Sequence, residues 1–239
     1  MKLDIDSWRK RKRAFWNRIL EDLEIGYLDK DLLPLLIMLN LDARIYTMSS
    51  CSGRITLVDG DNPWSREDTA VVFKKHTPLT QDEMASAYRV KVARKLWIIV
   101  TGPIIHLSTS QISLALRILE MARKEGYKHS GIMHLSRSKG VLLELSTGIW
   151  VSQLLRTVEN PVIAEEDLGI IVREYNRILL EGKKRLNRLH SSLKQIIPEE
   201  LDPEVEKQVN EKLTLMKNKT PLQVFYELAG ISAEQAGQR

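Results

Sequence analysis

YLDKDLLPLLIMLNLDARIYTMSSCSGRI, running from Tyr27 to Ile55, changes character twice along its length. Its first half is a dense apolar run from Asp31 to Leu41 that fits a helix. Pro34 falls in the first turn, where a missing N–H has no partner to lose. From Arg44 to Met48 the pattern becomes that of a short strand, and Ser49–Gly53 then supplies turn-forming residues. Helix, strand and polar turn within thirty residues point to an α+β protein rather than to a regular alternation of strands and helices.

The remainder of the chain extends this reading. Trp8, Phe15, Trp16, Ile19, Leu20 and Leu23 recur at helical spacing over Ser7–Leu23, with Ser7 as the expected cap. Strands are expected at Ile55–Asp59 and Thr69–Phe73 around a turn at Gly60–Ser65. A helix over Asp82–Lys95 precedes strands at Leu96–Val100 and Ile104–Leu107, where Pro103 implies an edge or a bulge. Ser110–Glu125 has a clean apolar face and Gly126 at the C-cap position. Gly131–Leu135 and Val141–Leu145 read as a hairpin, and a long helix over Glu165–Ile196 stops before Pro198. Beyond it, Pro203–Lys219 is charged and helical, Pro221–Leu228 is amphipathic, and Ser232–Arg239 has the composition of a disordered tail. The change at Pro198 predicts an α+β domain over 1–197 and a helical extension over 198–239.

Composition narrows the functional classes. The chain has 239 residues, is 43% hydrophobic and 28% charged, and carries a net charge of +5. No apolar run reaches the roughly 20 residues of a membrane span. The basic start MKLDIDSWRKRKR lacks the apolar core of a signal peptide. A single cysteine makes neither an internal disulfide nor a thiolate cage, which suits a reducing cytoplasm. The histidines His76, His106, His129, His134 and His190 show no metal-ligand spacing, and no metal is expected. Neither a GxxxxGK[ST] loop nor a strand–GxGxxG–helix unit occurs, so P-loop and Rossmann cofactor chemistry lack their usual features.

Two features carry candidate chemistry. Arg9, Lys10, Arg11, Lys12 and Arg13 are consecutive cations flanked by Trp8, Phe15 and Trp16. They suit contact with an RNA backbone, with aromatic stacking on bases; equally, they suit a wet face on a helix whose tryptophans reach the core. A second cluster, Lys183, Lys184, Arg185 and Arg188, reads as a solvated helix face. The other feature is the turn SSCSGR. Its hydroxyls and backbone donors form a nest for a carboxylate or phosphate, and Arg54 adds a two-pronged donor. A thiol among donors and a cation suits a nucleophile or base, while a small buried residue in a tight turn is the alternative.

These residues resemble the tRNA wybutosine-synthesising N4-methyltransferase family, whose Ser/Thr-x-Ser-Ser-Cys-x-Gly-Arg signature falls on Thr47, Ser49, Ser50, Cys51, Gly53 and Arg54. PIIHL at Pro103–Leu107, GYKHSGI at Gly126–Ile132, LELSTG at Leu143–Gly148 and the helix from Glu165 to Leu189 continue the similarity. Two positions depart from the family pattern. The glutamate usual before His106 is replaced by Thr101, Gly102 and Pro103, and Lys74 and Lys75 stand where a tryptophan is usual near His76.

The resemblance implies an S-adenosylmethionine-dependent enzyme that methylates N4 of a wyosine-type guanosine beside the anticodon of tRNA-Phe. It also implies a curled mixed β-sheet, partly closed like a barrel and capped by helices, and unlike the Rossmann methyltransferases. Ser50, Cys51, Arg54 and His106 are the expected catalytic residues. Thr47, Ser49, Ser52, Gly53, Ser130 and Gly131 are expected at the methyl donor, and Arg9–Arg13 with His76 at the nucleic acid. The competing reading is a non-catalytic RNA-binding module that grips phosphate with the same turn.

Overall fold

A computed structural model of the chain describes residues 2–65 and 67–232; most of the tail expected to be disordered, 233–239, lies outside them. The described residues form two compact units. The first is assembled from the stretches ending at Ser52, from Pro103 to Gly148, and from Lys183 onward; the second from Gly53–Gly102 and Ile149–Gly182. No helix among the described residues is long and apolar enough to cross a membrane.

The first unit contains helices α1 (Ile5–Glu24), α2 (Leu33–Leu41) and α4 (Ile112–Lys124), and strands β1 (Ile45–Thr47), β5 (Ile104–Thr109), β6 (Gly131–Ser136) and β7 (Gly140–Ser146). The second contains β2 (Arg54–Asp59), β3 (Ala70–Lys75), α3 (Gln81–Tyr88), β4 (Lys95–Thr101) and β8 (Trp150–Thr157). Helix α5 (Leu168–Leu193) gives its earlier residues to the second unit and its last ones to the first. The short helices α6 (Pro203–Lys212), α7 (Thr214–Lys217) and α8 (Pro221–Ala229) complete the first.

The α+β class holds, but the single curled mixed sheet does not. There are two four-stranded sheets, ordered β1–β5–β7–β6 and β3–β2–β4–β8, and every pairing between the named strands is antiparallel. Neither closes into a barrel among the described residues. Pro103 marks neither an edge nor a bulge: it stands where the chain leaves β4 of one sheet and enters β5 of the other.

In the first unit the core is built around α2, all nine of whose residues are buried. A helix apolar on every side has no wet face and must be enclosed. Trp16 and Ile19 of α1, Ile118 of α4, Leu189 of α5 and Val205 of α6 surround it, together with Ile105, Leu107 and Leu143 from the sheet. Each such side chain contributes roughly 1.5–3 kcal/mol on burial. The one polar residue of α2, Asn40, is satisfied: its amide donates to the Leu36 carbonyl at 2.8 Å and to Thr47 Oγ1 at 2.7 Å, and its oxygen accepts from Thr47 N at 3.2 Å. Val205, Val209 and Leu213 bring the segment after Pro198 into this same core.

In the second unit, Ile55, Leu57, Ile98 and Val100 of the sheet are buried together with Met84 and Tyr88 of α3 and Val172 and Tyr175 of α5. Asn176 on α5 donates to the Leu79 carbonyl at 2.8 Å and accepts from Leu79 N at 2.7 Å, fixing the chain just ahead of α3. That helix ends at Tyr88 rather than at Lys95. The Asp59 carboxylate takes the Ala93 and Arg94 N–H groups at 2.6 and 2.9 Å and turns the chain into β4.

Other differences are local. Asp4, not Ser7, caps α1: its carboxylate accepts from Ser7 N at 3.2 Å and from Ser7 Oγ at 2.8 Å. The charged stretch Pro203–Lys219 is broken at Leu213, giving α6 and α7.

Candidate active site

β1 delivers the chain to the turn at Ser49–Ser52, whose backbone is bound on the β5 side at two levels. Met48 N donates to the His106 carbonyl at 2.8 Å, and Cys51 exchanges both backbone bonds with Ile104 at 2.9 Å. Ser50 Oγ donates to the Met48 carbonyl at 3.2 Å and accepts from His106 N at 3.3 Å. Ser49 is exposed, and Ser50 and Cys51 are half-buried, so the turn presents its first serine most openly.

His106 lies beside this turn because β5 alternates. Ile105 and Leu107 face the core while His106 points to the other side. Its Nδ1 is 2.7 Å from the Ser49 carbonyl and its Nε2 is 2.9 Å from Glu144 Oε2. Glu144 is its register partner on β7, and Gly131 on β6 is in turn the partner of Glu144. His106, Glu144 and Gly131 therefore form one row across three strands. A carbonyl can only accept, so the 2.7 Å contact makes Nδ1 the donor to Ser49 and leaves Nε2 facing the Glu144 carboxyl group.

A cavity of about 320 Å³ opens on the first side of the turn, lined among others by Phe15, Asp22, Tyr27, Asp29, Ser49 and Ser50. Tyr27 is 75% exposed, leaving its ring available to a ligand. Asp29 accepts from Ser52 N at 2.9 Å through one oxygen. Arg18 also lines the cavity and pairs with Asp22 at 3.5 Å; with Asp29, the Tyr27 ring and the serine hydroxyls, the lining offers groups for both the charged ends and the hydroxyls of a zwitterionic ligand.

Several expected site residues turn out to be supports. Thr47 and Ser52 are fully buried; Thr47 holds Asn40, and Ser52 Oγ accepts from Lys183 Nζ at 2.6 Å. Ser130 is buried too, donating to the Tyr127 carbonyl at 2.7 Å and accepting from Ser146 N at 3.0 Å. Their hydroxyls are bonded to groups within the protein.

Gly53, Arg54 and His76 belong to the second unit. Gly53 has φ +90°, and a Cβ there would meet the Thr101 carbonyl oxygen at 2.7 Å, so only glycine fits. Arg54 opens β2 opposite Thr101 and is half-buried, and His76 follows β3.

The basic helix divides by face. Arg9, Lys10 and Arg13 are exposed and Arg11 is half-buried. Lys12 is 2% exposed, its ammonium donating to the carbonyls of Asn40, Asp42 and Ile45 at 2.6, 2.8 and 2.7 Å. Burial pushes Lys12 down to about 8, against the pull of Asp202 and Asp42. The aromatics do not wait for bases: Trp8 and Trp16 are buried, and Phe15 stacks on Tyr46 with ring centres 5.4 Å apart. Lys183, read as part of a wet face, is 1% exposed.

Sequence reasoning missed Glu144, which sits inside the apolar stretch VLLELS. The available signal was its position in the alternation, on the side of β7 away from the core; its pairing with His106 is set only by strand register.

Comparison with known proteins gives the class first: the family described as Methyltransferase TYW3 matches residues 10–195. The chain belongs to the TYW3 methyltransferase family. It is 39% identical over 187 residues to a Saccharolobus solfataricus protein, covering 78% of this chain and 89% of that one. That relative is named tRNA(Phe) 7-((3-amino-3-carboxypropyl)-4-demethylwyosine(37)-N(4))-methyltransferase. A protein of the same name from Aeropyrum pernix is 31% identical over 75% of this chain and 95% of its own length. Among solved structures, a Pyrococcus horikoshii protein superposes with a TM-score of 0.73 at 26% identity, covering 79% of this chain and 96% of that one. A hypothetical protein from Aeropyrum pernix gives 0.60 at 30% identity, covering 74% and 97%.

Proposed function

We propose that the chain transfers a methyl group from S-adenosylmethionine to N4 of a 4-demethylwyosine-type base at position 37 of tRNA(Phe). The observation that carries this reading is the 39% identity to a relative of that name across nearly its whole length. The cavity beside Ser49 supports it chemically. S-adenosylmethionine, when bound, supplies an electrophilic methyl on a cationic sulfur, and the cavity lining suits such a ligand. Asp22 and Asp29 would hold its cationic and hydroxyl groups, Tyr27 would cover its base or sulfonium, and the exposed Ser49 hydroxyl would bind its carboxylate.

The residues of this chain then have mainly to align the acceptor nitrogen and exclude water. A proton leaving N4 has a destination in the His106–Glu144 pair. With Nδ1–H bonded to the Ser49 carbonyl, Nε2 and the carboxylate share the position that receives it. The half-buried Cys51 thiol shapes the turn and needs no covalent intermediate. Arg9, Lys10, Arg11 and Arg13 offer cations to the RNA backbone, and Arg54 and His76 are the second unit's candidate contacts for phosphate.

The test is to incubate tRNA(Phe) carrying the 4-demethylated base with S-adenosylmethionine and the protein, then digest and weigh the nucleoside. A gain of one methyl group at that base is expected. Tight tRNA binding with no methyl gain would instead establish an RNA-binding module.

A further inference from the structure

The Ser49–Ser52 turn is bound on its β5 side by Ile104 and His106, and its far end is fastened by Asp29, which also lines the cavity, and by Lys183 and Asp31, which the proposed chemistry does not use. Ser52 is the fastening point. Its N–H donates to Asp29 Oδ2 at 2.9 Å, and its hydroxyl accepts from Lys183 Nζ at 2.6 Å. The same ammonium is 2.7 Å from Asp31 Oδ2, with side chains 1% and 3% exposed, and stands 5.3 Å from the ring centre of Phe225. Asp29 stands at the N-cap of the 3-10 turn Lys30–Leu32 that leads into α2, and Asp31 lies within it.

A dry ammonium–carboxylate pair is a poor choice if stability alone is wanted, because apolar groups of similar volume hold a core at least as well. What the pair adds is direction. An ammonium placed by Asp31 has a donor left at a fixed point, and that donor meets Ser52 Oγ. We propose that Lys183 is a positioning residue: held by Asp31, it latches Ser52 and so fixes the whole turn, with Ser49 and Ser50 where the cavity and His106 meet them. The latch deepens the methyltransferase reading of this turn and rests on it for its effect on turnover, though not for its effect on the turn itself.

The only cysteine in the chain reports the turn directly, since Cys51 adjoins Ser52 and is half-buried. Three proteins are compared with the parent: Ser52→Ala, the double variant Lys183→Met with Asp31→Leu, and the three changes combined. Removing both charges avoids leaving one of them buried without its partner. Each is read by thermal melting, by the rate at which Ellman's reagent labels Cys51 under native conditions, and by kcat and KM with the methyl donor and tRNA.

The expected result is a melting point near the parent's for Ser52→Ala, with Cys51 labelled at least tenfold faster and kcat lowered at least tenfold. The double variant should match it, and the combined protein should be no worse than either, because all three break one device. Labelling unchanged in a folded Ser52→Ala protein would overturn the latch, as would additive effects in the combined protein. Faster labelling in the Ser52→Ala protein, when the parent itself shows no methyl transfer, would uphold the latch and fault the assigned reaction instead.

Discussion

Glu144 and His106 are direct register partners on neighbouring strands, and their side chains meet at 2.9 Å on the side of the sheet away from the core. The carboxylate comes from β7, a hairpin strand, so the sheet itself carries the pair. Glu144→Gln keeps the shape and replaces the carboxylate that faces Nε2 with a neutral amide. We expect kcat to fall roughly 100-fold, the scale of a lost acid–base contribution, with KM for tRNA and the melting point little changed. Steady-state kinetics alongside calorimetry checks this, and a melting point that collapsed with kcat would make the pair structural.

Arg54 begins β2 and is half-buried, and its backbone rather than its side chain completes the strand pairing with Thr101. Arg54→Ala should therefore abolish most activity without unfolding the protein. Melting curves and methyl-transfer assays on the same preparation decide it: unchanged turnover would strike Arg54 from the proposed phosphate contacts.

The basic helix makes two separable predictions. Replacing Arg9, Lys10 and Arg13 by alanine should leave stability within about 0.5 kcal/mol. The same triple change should weaken tRNA binding and flatten its salt dependence, as fewer counterions are released. Lys12→Met should do the reverse. It strips the carbonyls of Asn40, Asp42 and Ile45 of their common donor and should cost roughly 3 kcal/mol in a denaturant titration.

His190 is 1% exposed on α5, and its Nδ1 meets no hydrogen-bond partner among the described residues. Burial, with a smaller push from Lys194, holds it down to about 4 from its ordinary 6.5. The folded form thus resists a proton that the unfolded chain accepts. Stability from this group is complete above about pH 6.5 and is lost as pH falls toward 4, a difference of roughly 3 kcal/mol. His190→Leu should flatten that part of the stability profile, measured by denaturant midpoints across the range.

Legibility in the sequence followed periodicity. Helices α2 and α4 and the β6–β7 hairpin were plain because their apolar spacing and turn residues agree. Strand β8 was not, since Ser152 and Gln153 interrupt its pattern and only Leu155 is buried. The two-sheet arrangement was hidden for another reason: Gly102–Pro103 looks like a break within a strand pair, and only the pairing partners show that it divides two sheets. At the candidate site, the sequence nominated Ser49, Ser50, Cys51 and His106, and strand pairing brings them side by side. That Thr47, Ser52, Lys12 and Lys183 are internal fasteners was not legible, because a polar side chain is read as solvent-facing until its buried partner is known.

The bond between Lys183 and Ser52 joins residues 131 positions apart. During synthesis the signature turn emerges early, yet the group that fastens it is translated only after both sheets are complete. The turn therefore stays unfastened while the second unit, whose segments all precede residue 183, can already form. A nascent chain halted before Lys183 would carry every strand found among the described residues and the whole motif, but not the finished turn.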